Sequence, residues 1–176
     1  MAISLRYAVS PVDLALAREI FAEYGASITT AAGCSLQHQG FDGELASLPG
    51  KYAAPRGCIV LAYAELEADP KPMGERGGGH KPFGCIAIRP LPDVGPTVCE
   101  LKRMYVKPTH RGLGAGRLLC EEVIAWSRNA GYTVMKLDTD CTFAPAIALY
   151  TAHGFVECPR YNDDPMEDTL WFAKNL

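Results

Sequence analysis

The spacing of apolar and polar residues changes several times along the chain, and each change predicts an element. Ser4 to Val9 alternates and predicts a strand. Ser10 and Pro11 then suit the cap and first position of a helix, with Leu14, Ala17, Ile20, Phe21 and Tyr24 as its apolar stripe and Gly25 as its C-terminal cap. A weaker helical pattern covers Ser27 to His38. Phe41 to Gly57 reads as irregular, broken by Pro49-Gly50 and Pro55. Cys58 to Leu66 and Phe83 to Arg89 predict two strands around D-P-K-P-M-G-E-R-G-G-G-H-K-P, a composition that predicts a flexible loop over about 67–82.

Val98 to Val106 predicts a third strand, and Gly114 to Ala130 an amphipathic helix. The core face of that helix would carry Ala115, Leu118, Leu119, Val123, Trp126 and Ala130, and Gly131 would cap it. Thr133 to Asp138 reads as a strand and Ala144 to His153 as a short helix stopped by Gly154. Phe155 to Glu157 and Thr169 to Ala173 read as closing strands around the acidic loop Tyr161 to Asp168. An early helix, three successive strands and then alternation of helix and strand predict an α/β (α+β) fold with a mixed sheet, formed by residues 1–176 as one domain.

A hydrophobic content of 48% supplies a core without metal or disulfide staples. No apolar run reaches the length of about 18 residues that a membrane span needs. The first residues also lack the pattern of a secretory signal, so the expected setting is cytoplasmic with no membrane partner. Seven cysteines, an odd number without C-x-x-C spacing, read as free thiols. His38, His80, His110 and His153 show no ligand spacing, so no metal is expected. The net charge of −3 argues against nucleic acid as a partner. Against that average, Lys102, Arg103, Lys107, Arg111 and Arg117 fall where no acid intervenes between Leu101 and Cys120, which favours an anionic ligand.

That ligand would sit where strand gives way to helix. The run R-G-L-G-A-G, Arg111 to Gly116, begins a helix inside glycines. The amides of Gly112, Leu113, Gly114, Ala115, Gly116 and Arg117 then converge without intrahelical partners at the positive end of a dipole. Such a nest binds phosphate. A nucleoside triphosphate loop would need Lys and Ser or Thr after its last glycine, but Arg117-Leu118 follows. A dinucleotide loop would need a glycine at Arg117 or Leu119. Asp138 lies at a suitable distance for a ribose contact, yet no series of βαβ units surrounds it.

The pattern R-x-x-G-x-G at Arg111 to Gly116, after a strand ending V-K-P, followed downstream by A-I-A-L-Y-T-A-H-G-F at Ala146 to Phe155, resembles the GNAT superfamily of N-acetyltransferases. The likeness spans Val98 to Glu157. The flanking Phe41 to Pro55 and Tyr161 to Pro165 are similar to small bacterial and fungal members with undefined acceptors. The resemblance implies a mixed, mostly antiparallel sheet of about six or seven strands flanked by about four helices, splayed at the acyl-CoA site.

It also implies acetyl-CoA as cosubstrate, with its pyrophosphate on Gly112 to Arg117 and further charge from Arg111 and Lys107. Pantetheine would run along the main chain of Met104, Tyr105 and Val106, and an amide near Met104 or Tyr105 would polarise the thioester carbonyl. Tyr150 is implied as the general acid for the departing thiolate, the alternative being a ring packed in the core. Glu100 has two readings, general base or partner of Lys102 or Arg103 in an ion pair. Strand alternation would place Glu100, Lys102, Met104 and Val106 on one face and Leu101, Arg103 and Tyr105 on the other, unless a bulge intervenes. His153 reads as structural and His110 as exposed. Asp163, Asp164, Glu167 and Asp168 read as an acidic surface or as a hold on a cationic amine.

The implied reaction is direct acetyl transfer to the primary amine of a small molecule, by an enzyme that leaves room for a homodimer. Its rivals are a protein or peptide acetyltransferase, a non-catalytic acyl-CoA-binding regulator and a nucleotide-binding module.

Overall fold

A computed structural model describes residues 2–32, 36–65 and 81–176. Cys34 and nearly all of the predicted Gly/Pro-rich loop lie outside the described residues. Strand β1 (Ile3–Tyr7) leads into helix α1 (Pro11–Ala32), then a 3-10 turn at Leu36–Gln39 and the short helix α2 (Phe41–Ala46). A second 3-10 turn, Gly50–Tyr52, precedes β2 (Cys58–Ala64), β3 (Gly84–Pro90) and β4 (Val98–Val106). Helix α3 (Ala115–Asn129), β5 (Val134–Asp140), α4 (Ala144–Ala152), β6 (Val156–Glu157) and β7 (Thr169–Asn175) complete the order.

The strands form one seven-stranded sheet in the order β1-β2-β3-β4-β5-β7-β6. All neighbours are antiparallel except β4 and β5. The ladder of that parallel pair has three register pairs, Val98–Val134, Cys99–Met135 and Glu100–Lys136. Beyond Glu100 the two strands part, and the gap between them becomes the functional cleft.

Each sheet face buries its own apolar set. Val60, Ile86, Ile88, Leu101 and Leu137 pack with Leu119, Cys120 and Val123 of α3 and Tyr150 of α4. Ile59, Leu61, Ala87 and Tyr105 pack on the other face with Ala17, Ile20 and Phe21 of α1 and Phe41 of α2. The cap of α1 is reciprocal: Asp13 N–H donates to Ser10 Oγ at 3.1 Å, and Ser10 N–H donates to Asp13 Oδ2 at 3.0 Å. Such a cap contributes about 1 kcal/mol.

Four expectations change. Gly25 does not end α1, which runs on to Ala32; a Cβ at Gly25 would stand 2.5 Å from the Phe41 ring, so this glycine admits α2 against the helix. The predicted irregular segment holds α2 and a 3-10 turn, with Phe41 and Tyr52 buried. On α3 the core stripe is rotated: Leu118 is exposed, while Cys120, Ile124 and Ser127 are inside. Lastly, β4 does not alternate throughout. Cys85 pairs with Tyr105 but Ala87 pairs with Lys102, so β4 carries an extra residue at Arg103–Met104. Met104 therefore packs with the α3-side cluster like Leu101, whereas Tyr105 lies on the α1 face.

Candidate active site

The glycine loop holds the geometry expected of an anion nest. Gly112 and Gly114 have φ of 78° and 86°, and a Cβ on either would meet nothing within 4 Å. Only glycine takes such angles without strain, and the space beside them is open. The first bond of α3 runs from Leu118 N–H to Gly114 C=O at 3.1 Å. Among the described residues, the amides of Gly112, Leu113, Gly114, Ala115, Gly116 and Arg117 have no backbone acceptor. Gly116 has a different reason to be small, since a Cβ there would stand 3.1 Å from Met104 Cε and 3.3 Å from Leu149 Cδ2.

Side chains tie the loop down. Arg111 Nε donates to the Val106 carbonyl at 3.0 Å, and Arg117 pairs with Glu121 at 2.7 Å. Lys107 pairs with Glu23 of α1 at 2.8 Å. His110, read from sequence as exposed, stacks on Phe83 with ring centres 4.5 Å apart.

From this loop a cleft of about 1020 Å³ follows the splay between β4 and β5. Its walls include Met104, Tyr105 and Val106 of β4, Asp138 and Asp140 of β5, and Leu149 and Tyr150 of α4. Tyr24, Ser27 and Ile28 of α1 also line it, with Gln39, Asp164 and Met166. Main-chain direction along β4 can be counted. Lys107 N–H donates to Phe83 C=O at 2.8 Å, so Tyr105 also faces β3, and alternation turns the amides of Met104 and Val106 toward the gap.

Tyr150 is 5% exposed and lies edge-on to Phe155 with ring centres 5.9 Å apart. Among the described residues its hydroxyl has no hydrogen-bond partner. Burial, and after it the neighbouring Cys120, pushes its pKa well above the usual phenol value, so it is a protonated donor at neutral pH.

Glu100 is fully buried and does not line the cleft. Arg89 Nε and Tyr161 Oη donate to its two oxygens, the latter at 2.9 Å, and Lys102 Nζ stands 3.7 Å away. Lys102 donates to Asp138 Oδ1 at 2.8 Å, and Asn162 Nδ2 to Asp138 Oδ2 at 2.8 Å. Burial would discharge this pair, but each partner overrides it, holding Lys102 above and Asp138 below its ordinary pKa. The structure thus brings Tyr150, Met104, Tyr105, Val106 and the glycine loop onto one cleft and leaves Glu100 behind Lys102.

Asp138, Lys102 and Arg103 line the same cleft, where the sequence offers Lys102 and Arg103 only as part of a basic cluster or as partners of Glu100. Asp138 was weighed only as a ribose contact, and no pattern in V-C-E-L-K-R-M-Y-V marks the bulge that presents Arg103. Of the acidic loop, Asp164 is buried on the cleft while Asp163, Glu167 and Asp168 are exposed. His153 Nδ1 meets the Leu149 carbonyl at 2.7 Å, a helix-end contact.

A split sheet with a phosphate nest at one mouth and a protonated phenol within is the site of a group transferase. Residues 44–155 match the sequence model of the Acetyltransferase (GNAT) family. An uncharacterized N-acetyltransferase of Schizosaccharomyces pombe is 35% identical over 144 residues, which are 82% of this chain and 79% of that protein. Escherichia coli YjgM, an uncharacterized N-acetyltransferase, is 30% identical over 146 residues, 83% and 75% of the two chains. The crystal structure of a GNAT-family acetyltransferase from Staphylococcus aureus superposes with a TM-score of 0.72 at 20% identity, covering 99% of each chain. The N-acetyltransferase PaiA of Thermoplasma acidophilum, solved in complex with coenzyme A, gives 0.67 at 17% identity over 100% of each. The chain belongs to the GNAT acetyltransferase family and is an acyltransferase. The family's acyl donor is acetyl-CoA. Among the described residues no helix is long and apolar enough to cross a membrane, and no group of three or more His, Cys, Asp or Glu is gathered for a metal.

Proposed function

We propose that this enzyme transfers the acetyl group of acetyl-CoA directly to the primary amine of a small molecule. One observation carries the reading: the unpartnered amides of Gly112 to Arg117 open onto a cleft that continues between the parted strands to the Tyr150 hydroxyl. Open space beside Gly112 and Gly114 fits a pyrophosphate, with Arg111 and Arg117 adding charge. Met104, Tyr105 and Val106 supply the rail for the pantetheine arm, and the Met104 amide, facing the gap, polarises the carbonyl. The amine forms the new C–N bond as the C–S bond breaks. Tyr150 gives its proton to the sulfur, and the amine loses its own to water. Glu100, enclosed by Arg89, Tyr161 and Lys102, serves the ion-pair chain that holds Lys102 and Asp138 in the wall.

A small acceptor is favoured over a protein because residues of α1 (Tyr24, Ser27 and Ile28) and of the last loop (Asp164 and Met166) also wall the cleft. Tyr150, on the cleft with a donor hydroxyl, weighs against a regulator that only binds acyl-CoA. Thermal unfolding with acetyl-CoA, CoA, ATP and NAD tests the donor half. Either CoA form at a hundred times its Kd should add roughly 2.7 kcal/mol. Stabilisation by ATP or NAD alone overturns the proposal. An amine panel read by release of CoA thiol tests the acceptor half, and turnover confined to peptides would pass the assignment to the peptide reading.

A further inference from the structure

Resting on the acetyl-transfer reading, we propose that Arg103 is a positioning residue: its guanidinium, locked by Glu44, holds the β4 bulge that turns the Met104 amide into the cleft. Among the described residues Arg103 is the only non-glycine with positive φ, at 58°. A left-handed arginine costs on the order of 1–2 kcal/mol and persists only where its surroundings over-determine it. It also carries a buried ion pair, with side-chain exposures of 1% for Arg103 and 4% for Glu44. Burying two charges costs several kcal/mol each before their attraction returns it, and an apolar pair could fill the same space. Two separately unfavourable features therefore meet on one residue, next to Met104.

The anchoring is complete at both ends of the residue. Nε donates to Glu44 Oε1 at 2.7 Å, Nη2 to Oε2 at 2.8 Å, and Nη1 to Gln39 Oε1 at 3.0 Å. The planar group lies over the Phe41 ring at 4.9 Å and near that of Tyr24 at 5.9 Å. At the backbone end, the Cys85 thiol donates to the Arg103 carbonyl at 3.2 Å. Burial pushes that thiol's pKa far up, so it stays a donor. Arg103 is thus fixed to α2 by its side chain and to β3 by its carbonyl.

Direction is what this fixing controls. Leu91 N–H donates to Val98 C=O at 3.0 Å, so before the bulge Val98, Glu100 and Lys102 present their main chain to β3. Unbroken alternation would carry Met104 and Val106 to β3 as well and leave Tyr105 facing the gap. The extra residue reverses the count, giving Tyr105 to β3 and Met104 and Val106 to the cleft. Without a bulge at Arg103 the polarising amide belongs to the wrong residue.

The test is the infrared carbonyl stretch of acetyl-CoA labelled with carbon-13 at the thioester, bound to the wild type and to Arg103→Gly, Arg103→Lys and Cys85→Ala. In the wild type the band should lie below that of free acetyl-CoA. Arg103→Gly tolerates the left-handed backbone but lacks the anchor, and Arg103→Lys keeps charge without the fork. Both should lose at least half of the band displacement and about tenfold or more in kcat, with acetyl-CoA Kd changed by no more than about threefold. Cys85→Ala leaves no unpaired charge and should move band and kcat the same way by a smaller factor; it and Arg103→Lys decide the matter if Arg103→Gly does not fold. Wild-type band position and kcat in the folded variants overturn the positioning role. A wild-type band that does not move on binding overturns the acetyl-transfer reading itself, and the proposal with it.

Discussion

In the proposed transfer the Tyr150 phenol holds its proton until the sulfur departs, and burial, which raises its pKa, keeps it protonated at neutral pH. Replacing it by Phe keeps the ring contact with Phe155 and removes only the hydroxyl. Tyr150→Phe should lower kcat by about 10²- to 10⁴-fold while acetyl-CoA affinity by calorimetry changes little. Unchanged turnover at saturating amine would take the acid role away from Tyr150. The place of Tyr150 on the cleft is legible because A-L-Y-T-A-H-G-F is a local pattern, while its role waits on that variant. Arg103 is not legible, because its importance lies in a φ angle and in Glu44, which comes from a distant stretch of chain. Glu100 is only half legible: a carboxylate on the strand before the loop fits either a base or an ion pair, and the positions of Arg89 and Tyr161, which favour the ion pair, come from distant stretches of chain.

Among the elements, β4 was read with its true ends, since a run of apolar and basic residues stopped by Lys107-Pro108 leaves little choice. Its interior stays open in the sequence, where a bulge can be allowed for but not located, because a bulge has no composition of its own. Helix α1 was cut short at Gly25 by a rule about exposed caps that a packed neighbour overrides. The junction of loop and α3 was the most legible of all, as its backbone angles demand glycine. Gly114 has φ of 86° with open space beside it. Gly114→Ala should therefore cost about 1–2 kcal/mol of stability. It should also weaken acetyl-CoA binding by about tenfold through displaced amides, with kcat at saturation nearly unchanged. Titration calorimetry beside thermal unfolding separates the two effects. Wild-type affinity would show that the nest does not depend on this left-handed turn.

Across the whole molecule, Glu44 joins α2 to the sheet through Arg103 and to the 3-10 turn Gly50–Tyr52 through Lys51 and Tyr52. Burial would raise its carboxyl pKa, but Arg103 and Lys51 outweigh it and hold it at about 2, below an ordinary value of 4.5. A carboxylate depressed on folding stabilises fully above its unfolded pKa and loses that contribution as pH falls through the folded one. The Glu44 contribution should thus be intact above pH 4.5 and vanish on descent toward pH 2. Calorimetric Tm against pH should fall through that window in the wild type and fall less steeply in Glu44→Gln, which starts lower at neutral pH. Parallel profiles would remove Glu44 from the acid transition. Nothing in F-D-G-E-L-A announced this joint, because a surface-looking helix turn becomes interior only when the whole layer docks.

The short parallel contact between β4 and β5 has a mechanical consequence. Three register pairs stitch one half of the sheet to the other, and past Glu100 the main-chain ladder of this seam stops, leaving the Lys102–Asp138 ion pair as a side-chain tie. Whatever occupies that seam and bonds to the Met104 and Val106 main chain acts as the missing thread. With the donor bound there as proposed, loading would tighten the fold and release of the spent donor would loosen it, so stiffness itself would report the stage of the catalytic cycle.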